Sequence, residues 1–516
     1  MKSFGICILC VMCMLSTAVA MMPPYPDSTK ALAKACAEVS RLVDYDHGAP
    51  VQPRGSWSFL VVCVDFADKP FQTQLEFFDT LVFGNEKVST MTEFYTHNSY
   101  GKFSLTTQHL PSQLYVRAPQ PYTSYVDNDY GLGSPPNIST LLNDVLDAID
   151  TLIDFSDYVN HGDDEILGVA MIHAGPGAER TGSSNDIWSH AGRAHQTRDG
   201  IVIRKYMIVP ELYSTPGDMQ IGVFAHEFGH ILGLPDLYDR DGSSRGVGAW
   251  SLMSIGCWNG VPRGFSPASL DAWCKSQLGF VELRIVDREE SMDLRPIQVC
   301  DTVLWVCGYD ESRYYLIENR QRMAYDVHTP GNGLLIWRID ETRSDIEQWN
   351  DNEWYPDHED HGNYLVALTQ SDGRWDLERN KNDGDPLDSY PGYRQLNTEF
   401  GPDTYPSSDW YNGTPTQVRI WNIARSGRNI TFSITTDLST DVLEPVTPGG
   451  SQSFAGRVEV FNILGQRVAE VHGTCLNGNI QRCHAIVRCL HRGSGIYFLR
   501  MVADRRVYVK KIIVLR

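Results

Sequence analysis

The sequence predicts a mixed α/β domain over residues 51–285, a β-rich, sandwich-like domain over 286–438 and a small C-terminal β-sandwich domain over 453–516. Three observations carry this reading. Between residue 55 and about 285, strand-like apolar runs alternate with stretches of helical period. From 286 to about 438, aromatic and β-branched runs are separated by Gly, Pro and Asn turns. Residues 439–452, rich in Ser, Thr, Pro and Gly, have the composition of a linker, and further alternating runs follow them. A chain of 516 residues is long enough to build large cores in such domains.

The chain opens with Lys2, an apolar run from Phe4 to Leu15, and Thr17-Ala18-Val19-Ala20. A basic residue, a short apolar stretch and an A-x-A site read as an export signal over residues 1–20. The run falls short of the roughly 18 residues that a bilayer span needs. Residues 21–50 form a short pro-segment, with Leu32, Ala35, Cys36, Val39, Leu42 and Val43 at helical spacing. A thiolate at Cys36 could cap a metal, although packing on the apolar face is the plainer role.

Nine of the twelve cysteines lie beyond the signal. Export permits disulfides, and the spacing allows Cys300 with Cys307 and Cys257 with Cys274, while an odd number leaves one thiol over. A net charge of −20 excludes a nucleic-acid or anionic-membrane surface as the main partner.

In the α/β region, strands are expected at Phe59–Phe66, Phe103–Thr107, Ile166–His173 and Ile201–Val209. Helices are expected at Ile138–Ile153, Met219–Gly233 and Pro267–Leu278. Thr215-Pro216-Gly217-Asp218 reads as the start of the second of these.

That helix carries His226-Glu227-Phe228-Gly229-His230-Ile231-Leu232-Gly233-Leu234-Pro235-Asp236. Residues four apart share a helix face, so His226 and His230 can offer two imidazoles to one zinc ion. Gly233 can end the helix in a left-handed turn at little cost. The chain then folds back to present Asp236 as a third ligand. Glu227 can hold and deprotonate a water on the metal. Three protein ligands and a water describe a catalytic zinc site, since structural sites are closed by four.

Trp250-Ser251-Leu252-Met253-Ser254-Ile255-Gly256 follows a short way on and resembles the Met-turn of the metzincins. An aspartate as third ligand is similar to the immune inhibitor A family of secreted metalloproteases. Phe59 to Asp68, Glu93-Phe94-Tyr95 with Asn98 to Phe103, Ala170 to Gly175 with Ile187 to His190, Leu316 to Gln321 and Gly333 to Asp340 resemble that family's segments in order. The resemblance spans roughly residues 55–435. It implies a metzincin-like zinc endopeptidase acting on protein or peptide substrates, with an edge strand near Gly168–Gly175 pairing with extended substrate. A Tyr that often follows the Met-turn is missing here, which leaves Tyr238, His173 and His190 as alternatives for stabilising the oxyanion.

Two oxygen-rich loops suit structural Ca²⁺. One holds Asp154, Asp157, Asn160, Asp163, Asp164 and Glu165; the other holds Asp376, Asn380, Asn382, Asp383, Asp385 and Asp388, with Gly384 for the turn. At the C-terminus, Val458 to Val468, Gly495-Ile496-Tyr497-Phe498-Leu499-Arg500 and Lys510-Lys511 resemble the sorting domain of the type IX secretion system. That resemblance implies secretion machinery as a partner and a secreted or cell-surface location. The alternative to an enzyme is a catalytically inactive, metal-stabilised surface adhesin. Glu227 weighs against it, because structural zinc has no use for that residue.

Overall fold

The computed structural model describes residues 50–84, 89–160, 164–310, 312–343, 350–356, 358 and 362–436, and the backbones of 18–20, 453–462, 467–476, 495–503 and 506–514. The export signal, apart from the last three of its residues, lies outside these, as do Cys36 and the rest of the expected pro-segment up to residue 49.

Eight strands belong to the first half of the chain: β1 Ala18–Ala20, β2 Gly55–Ser58, β3 Leu60–Asp65, β4 Phe103–Thr106, β5 Tyr115–Arg117, β6 Glu165–Pro176, β7 His190–Arg198 and β8 Ile201–Leu212. Six form one sheet in the order β1-β7-β8-β6-β3-β5, and β2 pairs with β4 separately. β3, β5, β6 and β8 run parallel, whereas β7 is antiparallel to β8 and β1 to β7. The parallel strands read as unbroken apolar runs because both faces are covered. Residues Leu60 to Asp65 are all buried. Leu60, Val62 and Val64 face a core with the helix Ile138–Ile149, while Val61 and Cys63 face one with the helix Ile221–Ile231.

All four expected strands and the helices at 138–149, 221–231 and 272–277 occur, all three helices shorter than expected. The edge strand departs from expectation. Gly168–Gly175 lies inside β6, which is flanked by β8 and β3; beyond β8 come the antiparallel strand β7 and, paired with its first residues, β1. His190–Arg198 shows no clean alternation in sequence, so nothing in the pattern marks it as a strand.

The β-rich region contributes β9 Glu282–Val286, β10 Glu290–Leu294, β11 Thr302–Asp310, β12 Arg313–Arg320, β13 Gly333–Asp340, β14 Val366–Leu368, β15 Val418–Ser426 and β16 Asn429–Thr436. These make a five-stranded sheet, β14-β13-β12-β11-β9, and a three-stranded sheet, β10-β16-β15. Leu304, Val306, Ile317 and Ile336 meet Met292, Val418, Ile420 and Phe432 between the two sheets. On the opposite face of the larger sheet, Trp305, Leu316, Leu335 and Trp337 join the core that holds Phe224, Phe228 and Met253. The larger sheet is therefore buried on both sides and has one core in common with the α/β region. A further sheet, in the order β18-β17-β19-β20, is built from β17 Ser453–Asn462, β18 Arg467–Leu476, β19 Gly495–Ala503 and β20 Arg506–Val514.

Cys63, Cys257, Cys274, Cys300 and Cys307 are all free thiols, so neither expected disulfide forms. Cys300 and Cys307 lie at and beyond the start of one strand instead of on paired neighbours. No helix among the described residues is long and apolar enough to cross a membrane.

Leu316→Ala and Ile317→Ala, on opposite faces of β12, should each cost about 2–5 kcal/mol. Because Leu316 packs into the core that also holds the central helix, calorimetry of Leu316→Ala should show the transition of residues 50–436 moving as a unit. Separate transitions, with the α/β region unmoved, would show that the common core does not couple them.

Candidate metal centre

The helix Ile221–Ile231 has all eleven residues buried, so it is a central element and lacks a solvent face. It starts two residues later than expected, after Gln220, which supplies no side-chain cap. Asp218 serves the preceding turn, accepting from the amides of Tyr213 at 2.8 Å, Ser214 at 3.0 Å and Thr215 at 2.8 Å. At the other end Gly233 has φ +94°. Its amide donates to His230 O at 3.0 Å and that of Leu234 to Gly229 O at 3.0 Å. Together these two bonds form a Schellman closure. The Lys205 ammonium, reaching in from β8, donates to the carbonyls of His230 at 3.0 Å and Ile231 at 3.1 Å. A cation there complements the negative end of the helix dipole.

The closure reverses the chain and brings Asp236 over the helix face. Asp236 Oδ1 lies 3.1 Å from His226 Nε2 and 3.3 Å from His230 Nε2. The two Nε2 atoms are 3.1 Å apart. Tetrahedral zinc with bonds near 2.1 Å sets its ligand atoms roughly 3.4 Å apart, so the triangle fits. Among the described residues this is the one group of three or more His, Cys, Asp or Glu side chains close enough to hold a metal ion.

Both rings have their other nitrogen engaged. His226 Nδ1 donates to Leu252 O at 2.9 Å and His230 Nδ1 to Leu234 O at 2.8 Å. These bonds set the tautomer that leaves both Nε2 lone pairs free for a metal. Burial pushes the Asp236 carboxyl up, but the His230 and His226 imidazoles more than offset it and hold it well below the usual range.

Glu227 is fully buried, and neither carboxylate oxygen has a hydrogen-bond partner. Burial, then Asp236, then Glu179 raise its pKa well above the ordinary value. A buried carboxylate without partners is costly in a folded chain, so its oxygens fit a ligand that arrives with a proton to share. Glu179, also buried, accepts from the Ser189 amide at 3.1 Å and hydroxyl at 2.8 Å, tying the turn before β7 to the site.

Met253 lies beneath the helix. A Cβ added at Gly229 would sit 2.5 Å from its sulfur. The turn is bound back to the third-ligand segment by Leu237 N donating to Met253 O at 2.7 Å.

Residues 59–282 match the family model for the catalytic domain of immune inhibitor A peptidase M6. This stretch is a peptidase M6 catalytic domain of the immune inhibitor A kind. Over 221 residues the chain is 29% identical to the "Pre-pro-metalloprotease PrtV" of Vibrio cholerae serotype O1, with 37% of this chain and 24% of that protein covered. Over 229 residues it is 28% identical to "Immune inhibitor A" of Bacillus thuringiensis subsp. alesti, with 38% and 33% covered. The chain thus spans a quarter to a third of the length of these relatives.

Within the peptidase M6 domain, the candidates for oxyanion stabilisation part company. His190 has both nitrogens committed, Nδ1 to Trp188 O at 2.7 Å and Nε2 to Tyr206 Oη at 3.0 Å. His173 is fully buried, with Nδ1 on Ala174 O at 3.1 Å. Tyr238 stacks on a ligand, its ring 6.3 Å from that of His226 at 22°.

Several side chains of the acidic loops have protein partners. Asp154 caps Ser156 N, Asn160 clips the backbone of Ser58, and Glu165 pairs with Arg204; Asp163 lies outside the described residues. Asp388 takes the Trp250 indole N–H at 2.9 Å and the Asp385 amide at 2.8 Å, so the second loop packs on the Met253 turn. Sequence reasoning missed Lys205, Glu179 and Leu252, whose roles depend on contacts between distant segments.

Gly229→Ala should lower stability by about 1–3 kcal/mol by overpacking Met253 and weaken metal retention in the same variant. Unchanged melting and metal content would show that the sulfur moves aside freely. Burial pushes His190 down to about 4, against about 6.5 when unfolded. Its contribution is complete above 6.5 and is lost as pH falls toward 4, on the order of 3 kcal/mol. The melting temperature of His190→Gln should therefore fall less steeply than wild type between those values; parallel curves would refute this.

Proposed function

We propose that this chain is a secreted zinc-dependent endopeptidase in which His226, His230 and Asp236 hold the metal and Glu227 is the general base. The observation that carries the reading is the pairing of a preorganised three-atom ligand triangle with a buried carboxylate that has no protein partner. Bound zinc supplies Lewis acidity toward a peptide carbonyl and an attacking water. Glu227 takes the proton of that water and passes it to the leaving amine; its raised pKa suits both halves of the transfer. Of the three alternatives for stabilising the oxyanion, Tyr238 is supported by its ring's stacking on that of His226.

Extended substrate would lie along β7 in the manner of Ala18–Ala20, which pairs with His190–Gly192 on its outer side. The metzincin-like reading is supported by this sheet and by the turn that carries Met253. Calcium is proposed as a structural cofactor of the loop 376–388, where burial, with Asp385 and Asp372 nearby, pushes Asp388 up to about 8. Export by the signal at 1–20 and sorting by 453–516 through the type IX machinery complete the proposal.

Cleavage of casein by wild type and Glu227→Ala, with zinc measured in both, tests the reading. About one zinc per chain is expected in each, with turnover lost at least a hundredfold in the variant and abolished in wild type by a chelator. Cleavage that survives in Glu227→Ala would remove the base assignment. Zinc in both with cleavage by neither would favour the inactive surface protein.

A further inference from the structure

We propose that Arg320, at the end of β12 in the β-rich region, is a positioning residue for the metal centre: it pins the turn 250–253 and, through it, orients the His226 imidazole. This inference rests on the zinc reading above.

The Nδ1 side of the His226 ring is fixed by its bond to Leu252 O at 2.9 Å. Outer bonds of this kind decide which nitrogen faces the metal and how the ring is turned. Leu252 lies in a turn, outside any helix or strand, so its carbonyl is only as well placed as the turn itself. Besides Leu237 and Asp388, one neighbouring segment, 269–271, holds that turn. Leu252 N donates to Ser269 O at 3.3 Å, and Ser251 Oγ donates to Asp271 Oδ2 at 2.6 Å while accepting from Met253 N at 3.3 Å. Residues 250–253 and 269–271 thus form a clamp, with the ligand's carbonyl inside it.

Arg320 bridges both halves of this clamp. Its Nη1 donates to Trp250 O at 3.2 Å and its Nη2 to Leu270 O at 3.2 Å. The same two nitrogens reach Asp326 Oδ1 at 3.1 Å and Glu318 Oε1 at 2.7 Å. Arg320, Glu318 and Asp326 are all fully buried. Trp337 Nε1 holds Glu318 at 3.1 Å, and Ser269 N and Gln298 Nε2 each hold Asp326 at 2.8 Å.

A buried charged cluster is a weak source of stability, since desolvation offsets most of the attraction, and apolar side chains could fill the same volume. What an apolar residue lacks is a rigid planar fork with donors for two backbone carbonyls at once. The fork is spent on the two carbonyls that flank the clamp, which makes geometry the gain. Lysine at 320 would retain the positive charge between the carboxylates and lose the fork.

The test uses the full chain loaded with zinc, as wild type, Arg320→Lys, Arg320→Gln and Glu318→Gln. Zinc release to a chromogenic chelator is timed well below each melting temperature, and melting is measured alongside. Arg320→Lys and Arg320→Gln should release zinc roughly tenfold faster. Glu318→Gln trims the same buried cluster without touching residue 250 or 270, and should release zinc at the wild-type rate even where its melting temperature falls. Wild-type release from Arg320→Lys overturns the proposal, as does acceleration in Glu318→Gln that matches its loss of stability. Arg320→Lys decides the matter if Arg320→Gln does not fold. A wild type that binds no zinc defeats the zinc reading and this inference with it; a wild type that binds zinc, with the Arg320 variants releasing it equally slowly, defeats this inference alone.

Discussion

Two imidazole N–H groups donate to two backbone carbonyls, those of Leu252 and Leu234, and the rest of the centre depends on that arrangement. With Nδ1 committed on each ring, the Nε2 lone pairs converge on one point with Asp236. The two carbonyls come from different places. Leu234 belongs to the reversal that closes the helix at Gly233, so it is nearly local to His230. Leu252 arrives from a separate turn whose supports extend to residue 388.

This difference explains why so much of the molecule is built around a short motif. The larger sheet of the β-rich region is buried on both faces: one closes a sandwich with β10, β15 and β16, and the other closes the core beneath the central helix. The loop containing Asp388 and the end of β12 both reach Trp250. A domain that merely trailed behind the α/β region would leave that turn exposed on one side. Here the turn is enclosed, and water is kept from the underside of the centre.

The electrostatics follow from the same enclosure. Asp236 and Glu227 are both fully buried, yet burial acts on them with opposite results. The two imidazoles beside Asp236 hold its carboxyl down, whereas burial, with the charges of Asp236 and Glu179, pushes Glu227 up. Two acids nine residues apart in sequence thereby acquire different electrostatic character, which suits the roles proposed for them.

Much of this was legible in the chain. The spacing of His226, His230, Gly233 and Asp236 foretold the cluster of three side chains and the turn that assembles it, because helical periodicity and the left-handed tolerance of glycine are local properties. Apolar runs marked β3, β6 and β8, since strands buried on both faces have nothing polar to interrupt them. Tertiary structure alone decided that the 168–175 segment is internal to the sheet, because strand order depends on which partners meet and not on the composition of one strand. It also decided that Cys257 and Cys274 stay apart and that Asp218 serves a turn, not the helix. Placing Leu252, Lys205 and Arg320 around the centre likewise required the fold, since hydrogen bonds between residues far apart in sequence leave no periodic trace along it.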